Sequence, residues 1–267
     1  MWILKLWCNT MQVMAMQFGI KKLEGMNENM KHFVRVCLRR LGLEVKRYKP
    51  FFIFDCQVDT WLKQNPVDVV LDIGANTGQY VYRLLSNGFQ GNIISFEPLS
   101  DAYKQLVKNS SKNKNWYIAP RMAIGDFDGE TDINIASNSE SSSIMPMLPQ
   151  HESSEPSSKY IKTEKTKVCT LDGLIGNVVP SCYRSLFIKI DVQGYEDKVL
   201  LGIKNNFNMV KAIQVELSTI PLYEGQKLYY EIIDFLVKKG FILYAIGQIF
   251  TDKSTGKLFQ FDGFFVK

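Results

Sequence analysis

Residues 67–78 constrain the fold more than any other part of this chain. The run VDVVLDIG is almost continuously apolar and β-branched, and it ends in glycine. Such a run is typical of a strand buried on both faces of a parallel sheet. Residues 78–87 then place apolar side chains at helical spacing and stop at Gly88. We therefore predict a strand, a glycine-containing turn and a helix, which together form the opening unit of an α/β fold.

The alternation of strands and helices continues along the chain. NIISFEP and SLFIKIDV predict buried strands, VKAIQVELS predicts another, and helices are expected from Ser100 or Asp101, near residues 196–201, and at YYEIIDFLVKKG. Strands that alternate with helices join through right-handed crossovers, so we expect a doubly wound, mostly parallel sheet. FILYAIGQ and KLFQFDGFFVK have the alternating pattern of an antiparallel pair, with the C-terminal strand as an edge strand.

Length and local composition suggest three parts. The 267 residues fit one α/β domain with additions. We expect an N-terminal extension at residues 1–25, a helical segment at 26–66, and the main domain at 67–267. The helical segment is basic, which favours a solvated helix face, with contact to a membrane surface or an anionic partner as the alternative. Residues 137–158 are rich in Ser, Glu and Pro and lack periodicity, so we interpret them as a substrate loop, the alternative being partial disorder.

Composition argues against several classes of protein. The five cysteines contain no C-x-x-C pair and there are two histidines, so we expect no metal site or disulfide framework, and thiols kept reduced in the cytoplasm. No apolar run reaches the ~18 residues of a membrane span. The net charge of +5 is mild and lies mostly between residues 21 and 49, away from the expected site. We therefore expect no nucleic-acid partner.

Polar residues stand where the predicted strands end. Ligands of open α/β sheets bind beyond the carboxyl ends of the strands. The first strand ends in DIGANTG, where Gly74 and Gly78 let the backbone approach a ligand and Asp72 can accept hydrogen bonds below it. Glu97 ends the second strand, where an acid can accept from both ribose hydroxyls of an adenosine group. The structural alternative is that Gly74 and Gly78 only serve a tight strand-to-helix turn, and that Glu97 is a surface acid before Pro98.

The spacing also discriminates between cofactors. A dinucleotide-dependent oxidoreductase would need G-x-G-x-x-G at this turn, but the chain has Asp-x-Gly-x-Asn-x-Gly, which lacks the central glycine. A G-x-x-x-x-G-K-[ST] loop for nucleoside triphosphates does not occur either. A sulfonium cofactor carries positive charge and no phosphate, so an acidic surrounding is compatible with it.

Five segments resemble, in order, the FkbM-type methyltransferases: DIGANTGQY, SFEP, AIGDFDG, CTLDGL and FIKIDVQGYE. The resemblance runs from about Val67 to the C terminus. It implies a class I (Rossmann-like) methyltransferase fold, S-adenosyl-L-methionine as donor, and O-methylation of a hydroxyl on a sugar, glycan or natural product. It further implies that residues of the first three segments bind the cofactor: Asp72, Gly74, Asn76, Gly78, Glu97, Ala123, Ile124 and Asp126. Gln193 departs from the family pattern, since many relatives have Glu there.

Three carboxylates are candidates for the base or acceptor-orienting group. Asp191 ends a buried strand at the cofactor edge of the sheet and is the first candidate, followed by Glu196 and Glu216. The structural alternatives are that Asp191 caps the following helix, that Glu196 stabilises the first turn of that helix, and that Glu216 only ends a strand. His151 is a further candidate base, although a loop histidine is more often exposed. A non-catalytic scaffold with this fold is the competing functional hypothesis, for which loss of Asp72 or Glu97 would be expected; the chain retains both.

Overall fold

The computed structural model describes residues 27–44, 48–180 and 182–267. The chain forms two compact units, the first ending at Lys49 and the second beginning at Pro50. In the first unit, helix α1 (Glu28–Arg40) begins where the side chain of Asn27 accepts a hydrogen bond from the Met30 amide at 2.9 Å. The predicted extension at residues 1–25 lies outside the described residues.

The second unit alternates strands and helices. Its helices are α2 (Phe54–Gln64), α3 (Gln79–Ser86), α4 (Ser100–Ser110), α5 (Pro149–Ser154), α6 (Leu171–Leu174), α7 (Glu196–Leu201) and α8 (Tyr229–Lys238), with 3₁₀ turns at Pro50–Phe52 and Pro156–Ser158. Its strands are β1 (Val69–Ile73), β2 (Asn92–Phe96), β3 (Trp116–Ile118), β4 (Ala123–Ile124), β5 (Gly129–Ala136), β6 (Tyr160–Cys169), β7 (Leu186–Ile190), β8 (Val210–Ser218), β9 (Ile242–Thr251) and β10 (Leu258–Val266).

Seven strands form the main sheet in the order β3-β2-β1-β7-β8-β10-β9. Pairing is parallel from β3 to β8, and β10 runs antiparallel to both β8 and β9. The predicted α/β fold with a mostly parallel sheet is confirmed, and so is the antiparallel terminal pair. One detail is corrected: the C-terminal strand is internal, and β9 forms the edge. The reason is burial, because Phe264 and Phe265 of β10 are fully buried whereas Ile242 and Ile246 of β9 are exposed.

The sheet is covered on both faces, which explains the apolar run in β1. All five residues of β1 are buried. Because successive side chains point to opposite faces, Leu71 packs in the core with α7 and α8, while Val70 packs with α2, α3 and α4. A strand between two helix layers has no solvent face, so alternation with polar residues is absent.

A second sheet of three strands, in the order β4-β6-β5, stands beside the first. The sequence did not predict β6, because six of its ten residues are Lys, Thr or Glu and half of the ten are exposed, so the strand lacks a clear apolar pattern. β5 and β6 pair antiparallel, and residues 137–158 connect them. This connection folds back on the protein through bridges between Asn134 and Ser143 and between Met147 and Tyr223.

Candidate functional site

A cavity of about 790 Å³ lies at the carboxyl ends of the parallel strands. Gly74 after β1, Glu97 after β2 and Asp191 after β7 line it. Residues of the connection 137–158 form a further part of the wall, among them Glu140 and His151. The strand order therefore brings together side chains that are more than a hundred positions apart in the sequence.

The turn after β1 is tied to the end of β2. Gly74 has φ +80°, and a Cβ at this position would lie 1.8 Å from the backbone oxygen of Asp191. Asn76 also has a positive φ, and its amide donates to Glu97 Oε2 at 2.7 Å. Gly78 does not line the cavity; a Cβ there would lie 2.4 Å from the ring of Trp116, so this glycine allows α3 to pack against the sheet.

Glu97 is the acid at the centre of this side of the cavity. It is 3% exposed, and its two carboxylate oxygens accept from the amides of Asn76 and Leu99 at 2.7 and 2.8 Å. Burial raises the pKa of Glu97 to about 7, although these amides act in the opposite direction. Each oxygen retains a lone pair, so the ionised carboxylate can still accept from two ligand hydroxyls.

Asp72 lies beneath the turn rather than on the cavity wall. It is fully buried, and its Oδ2 accepts from the Ser95 hydroxyl at 3.0 Å. Its Oδ1 has no hydrogen-bond partner among the described residues. Burial raises its pKa, and the charge of Lys189 partly offsets this effect.

A neighbouring part of the wall is apolar and contains part of β4. Ala123 and Ile124 line the cavity together with Phe96 and Met122. Asp126, predicted near the same place, is not part of the wall and instead pairs with Lys198 at 3.8 Å. Apolar walls for a base, a buried acid for ribose hydroxyls and a glycine turn without room for a Cβ together fit an adenosine-type cofactor.

Asp191 faces the cavity at the end of β7. Its Oδ2 pairs with Lys189 Nζ at 2.9 Å, and its Oδ1 accepts from Gln193 Nε2 at 2.9 Å. Burial opposes ionisation, but Lys189 and Gln193 outweigh it and lower the pKa of Asp191. The sequence reasoning overlooked Lys189, which is buried and lines the cavity. A lysine inside the apolar strand FIKID was the available signal.

Gln193 joins two of the candidate carboxylates. Its amide nitrogen donates to Asp191 Oδ1 and to Glu216 Oε2 at 3.0 Å, while its Oε1 accepts from the Tyr223 hydroxyl at 2.9 Å. Gln260 also donates to Glu216. Burial, followed by the charge of Asp191, raises the pKa of Glu216 well above its usual range. The neutral amide of Gln193 therefore lets Asp191 and Glu216 lie close to the same side chain. A glutamate at position 193 would instead repel both carboxylates.

Glu196, the remaining candidate carboxylate, does not line the cavity. It is buried, and its Oε1 accepts from the amides of Val192 and Gly194 at 3.3 and 3.0 Å. Burial raises its pKa to about 7. Glu196 thus stabilises the turn that carries Gln193.

His151 is not exposed, in contrast to the usual loop histidine. It is 3% exposed, lines the cavity, and packs edge-on against Tyr223 with ring centroids 5.2 Å apart. Burial lowers its pKa to about 4, so the imidazole is neutral at physiological pH. Its Nδ1 has no hydrogen-bond partner within the described ranges.

Metal sites and membrane spans are both absent from the described residues. These residues contain no group of three or more His, Cys, Asp or Glu side chains that could hold a metal ion. None of the helices in that part of the chain is long and apolar enough to cross a membrane.

The sheet order and the position of the cavity define a class I methyltransferase fold. The chain belongs to the FkbM methyltransferase family: the family model described as the methyltransferase FkbM domain matches residues 72–243. S-adenosylmethionine is accordingly the expected cofactor. The family model matches the stretch that contains every strand-end residue described above.

Individual relatives are distant. The hexuronic acid methyltransferase AglP of Haloferax volcanii is 27% identical over 153 residues, which is 56% of this chain and 56% of that protein. The match thus spans about half the length of this curated relative. Among solved structures, methyltransferase FkbM from Methylobacillus flagellatus has a TM-score of 0.42 and 12% identity, covering 74% of this chain and 43% of that one. A putative RNA methyltransferase, PH1948 from Pyrococcus horikoshii, has a TM-score of 0.42 and 12% identity, covering 90% and 98%.

Proposed function

We propose that this methyltransferase transfers a methyl group from S-adenosylmethionine to a hydroxyl oxygen of a sugar or glycan. The name of the curated relative, a hexuronic acid methyltransferase, supports a sugar acceptor. The observation that carries the proposal is Asp191, a carboxylate with a lowered pKa on the wall of the cavity. A hydroxyl must lose its proton when it is methylated, and an ionised carboxylate can take that proton.

The cofactor is assigned to the side of the cavity formed by the ends of β1, β2 and β4. Glu97 accepts from the ribose hydroxyls, and the apolar wall around Ile124 contacts the base. The backbone at Gly74 and Asn76, which lines the cavity, is assigned to the methionine portion. Asp72 supports this turn from beneath, and Gly78 supports it at the start of α3. The role of Asp126 near adenine stays a prediction.

Bound S-adenosylmethionine supplies a methyl carbon attached to a positively charged sulfur. Transfer of that methyl group to the acceptor oxygen would leave S-adenosylhomocysteine, and Asp191 would accept the proton that the hydroxyl loses. Alignment of the two reactants can contribute about 7 to 11 kcal/mol. A positioned proton acceptor typically adds about 10²- to 10⁴-fold.

The two carboxylates joined by Gln193 have different pKa values, as is common for groups with different roles in one site. Asp191 is the ionised member, because Lys189 pairs with it. Glu216 has a raised pKa and receives two amide donors instead of a cation. We therefore assign proton acceptance to Asp191 and the orientation of Gln193 to Glu216.

The proposal is tested with radiolabelled S-adenosylmethionine and a panel of glycosides and oligosaccharides. Asp191→Asn should lower turnover by about 10²- to 10⁴-fold, while calorimetry should find binding of S-adenosylhomocysteine within about twofold of wild type. Asp132→Asn is the matched control, since Asp132 is exposed and pairs with Lys165 at 3.4 Å on the second sheet. Full turnover by Asp191→Asn would exclude Asp191 as the proton acceptor. Methylation of no glycan by protein that binds S-adenosylhomocysteine would exclude a sugar acceptor.

A further inference from the structure

The cavity is acidic although the chain as a whole has a net charge of +5. Among the described residues, seven acidic ones line it: Asp55, Glu97, Glu140, Glu155, Asp191, Glu216 and Asp262. The cationic side chains that line it within the described ranges are two, Arg83 and Lys189. An anionic acceptor would therefore enter a space where acids outnumber bases, and like charges oppose binding.

Both basic residues of the wall are already paired within the chain. Lys189 is paired with Asp191 at 2.9 Å. Arg83 contacts Asp59 at 3.1 Å and Asp55 at 3.4 Å, so two carboxylates face one guanidinium. The Nη2 atom of Arg83 has no partner among the described residues, but it is buried. Each cation is already engaged by at least one carboxylate of the chain, so a ligand carboxylate would have to share it with that acid.

Several acids of the wall are held by neutral donors instead of cations. Gln79 donates to Glu140 at 3.1 Å, and Gln214 donates to Asp262 at 2.8 Å. Glu216 receives the amides of Gln193 and Gln260, as described above. Within the described ranges, none of these three acids has a basic partner within 4.0 Å. A ligand carboxylate near them would meet either a like charge or a protonated acid, and neither provides a positive charge.

The imidazole of His151 provides an independent indication. A protonated histidine would suit a carboxylate, but burial keeps His151 neutral by lowering its pKa to about 4. It lies between the aromatic rings of Tyr223 and Phe250, with centroid distances of 5.2 and 5.7 Å. A neutral imidazole with an unpartnered nitrogen suits a hydroxyl, which can both donate and accept.

We infer that the acceptor unit bound in this cavity is an uncharged sugar, and that the site discriminates against hexuronates. This inference rests on the proposed function and narrows its substrate class. It separates this chain from the curated relative, whose name specifies hexuronic acid.

The test compares matched pairs of acceptors, each a hexoside and the hexuronide of the same sugar, linkage and aglycone. Methyl transfer from labelled S-adenosylmethionine is measured for each, and binding of S-adenosylhomocysteine is measured in parallel. We expect kcat/KM for the hexoside to exceed that for the hexuronide by about tenfold or more, because juxtaposed like charges are costly. Equal or higher values for the hexuronide would overturn the inference but leave the sugar O-methyltransferase assignment intact. Methylation of neither compound by protein that binds S-adenosylhomocysteine would overturn both.

A double variant, Glu140→Gln with Glu155→Gln, tests the electrostatic cause. Both residues line the cavity, and Glu155 contacts Lys253 at 3.6 Å, so neutralising it also releases a cation. The ratio of hexuronide to hexoside kcat/KM should rise about three- to tenfold, as expected for removing two charges across a partly solvated space. Glu152→Gln, on α5 but outside the cavity wall, is the control and should leave this ratio unchanged. An unchanged ratio in the double variant would refute the electrostatic explanation.

Discussion

Replacement of Glu97 by glutamine tests the assignment of the ribose site with almost no change in side-chain size. Both oxygens of Glu97 accept from backbone amides, those of Asn76 and Leu99. A glutamine can offer an oxygen to one of these amides, but its NH₂ group must then face the other donor. The variant loses one acceptor for the turn and the charged acceptor for the ribose.

The expected loss follows from the number of contacts. A hydrogen bond to a charged group contributes about 1.5 to 3 kcal/mol. Loss of one such contact should weaken binding of S-adenosylhomocysteine by about 10- to 150-fold, at about 1.4 kcal/mol for each factor of ten. Isothermal titration calorimetry at pH 8 measures this difference directly.

The pH dependence provides a second test of the same assignment. The pKa of Glu97 is about 7. About nine-tenths of this group is then ionised at pH 8 and about one-tenth at pH 6, so wild-type affinity should fall about tenfold between these values. The bound cofactor favours the ionised form, so binding should release protons near pH 7. Glu97→Gln should abolish this release and the associated pH dependence.

The sign for stability is opposite to that for binding. The folded protein holds the proton of Glu97 more tightly than the unfolded chain, because the pKa is raised from 4.5 to about 7. The contribution of Glu97 to the free energy of unfolding therefore declines as the pH rises through this window. The difference between wild type and Glu97→Gln isolates this contribution from the other buried acids.

Glu164→Gln is the matched control for these measurements. Glu164 likewise accepts from a backbone amide, that of Ser100 at 2.6 Å, but it does not line the cavity. We expect a change in thermal stability and no change in affinity for S-adenosylhomocysteine. Equal affinities of Glu97→Gln and wild type at pH 8 would refute the assignment of the ribose site to Glu97.

Two further substitutions probe the turn and the carboxylate pair. Gly74→Ala should abolish cofactor binding, because its Cβ would collide with the backbone of Asp191. It should also lower the free energy of unfolding by more than the ~1 to 3 kcal/mol that a positive φ alone costs. Gly88→Ala is the control, since Gly88 has φ +90° and open space around it, and equal losses in thermal unfolding would contradict the clash. Gln193→Glu should move the acid limb of the pH profile of kcat to higher pH, because the added carboxylate would lie beside Asp191 and raise its pKa. An unshifted acid limb would mean that the titration of Asp191 does not govern turnover.

The fold was predictable because its signals are local. The run before Gly74 specifies a strand covered on both faces, and the spacing of the helices between strands specifies parallel crossovers. β6 was overlooked for the corresponding reason: its residues are largely polar and only two of the ten are buried, so it is held mainly by pairing with β5. The position of β10 inside the sheet likewise depends on which strands it pairs with, which is a tertiary property.

For the site, the residues at the strand ends could be read from the sequence, because a glycine turn and an acid after each strand have a required spacing. Which of these residues face the cavity depends on tertiary packing. Glu216 lies on its wall whereas Glu196 turns toward the backbone of its own turn, although the two are equally acidic in the sequence. The pairing of Lys189 with Asp191 and the burial of His151 are likewise set by contacts between distant segments. Orientation and charge pairing depend on what packs against a residue, and sequence spacing does not specify that.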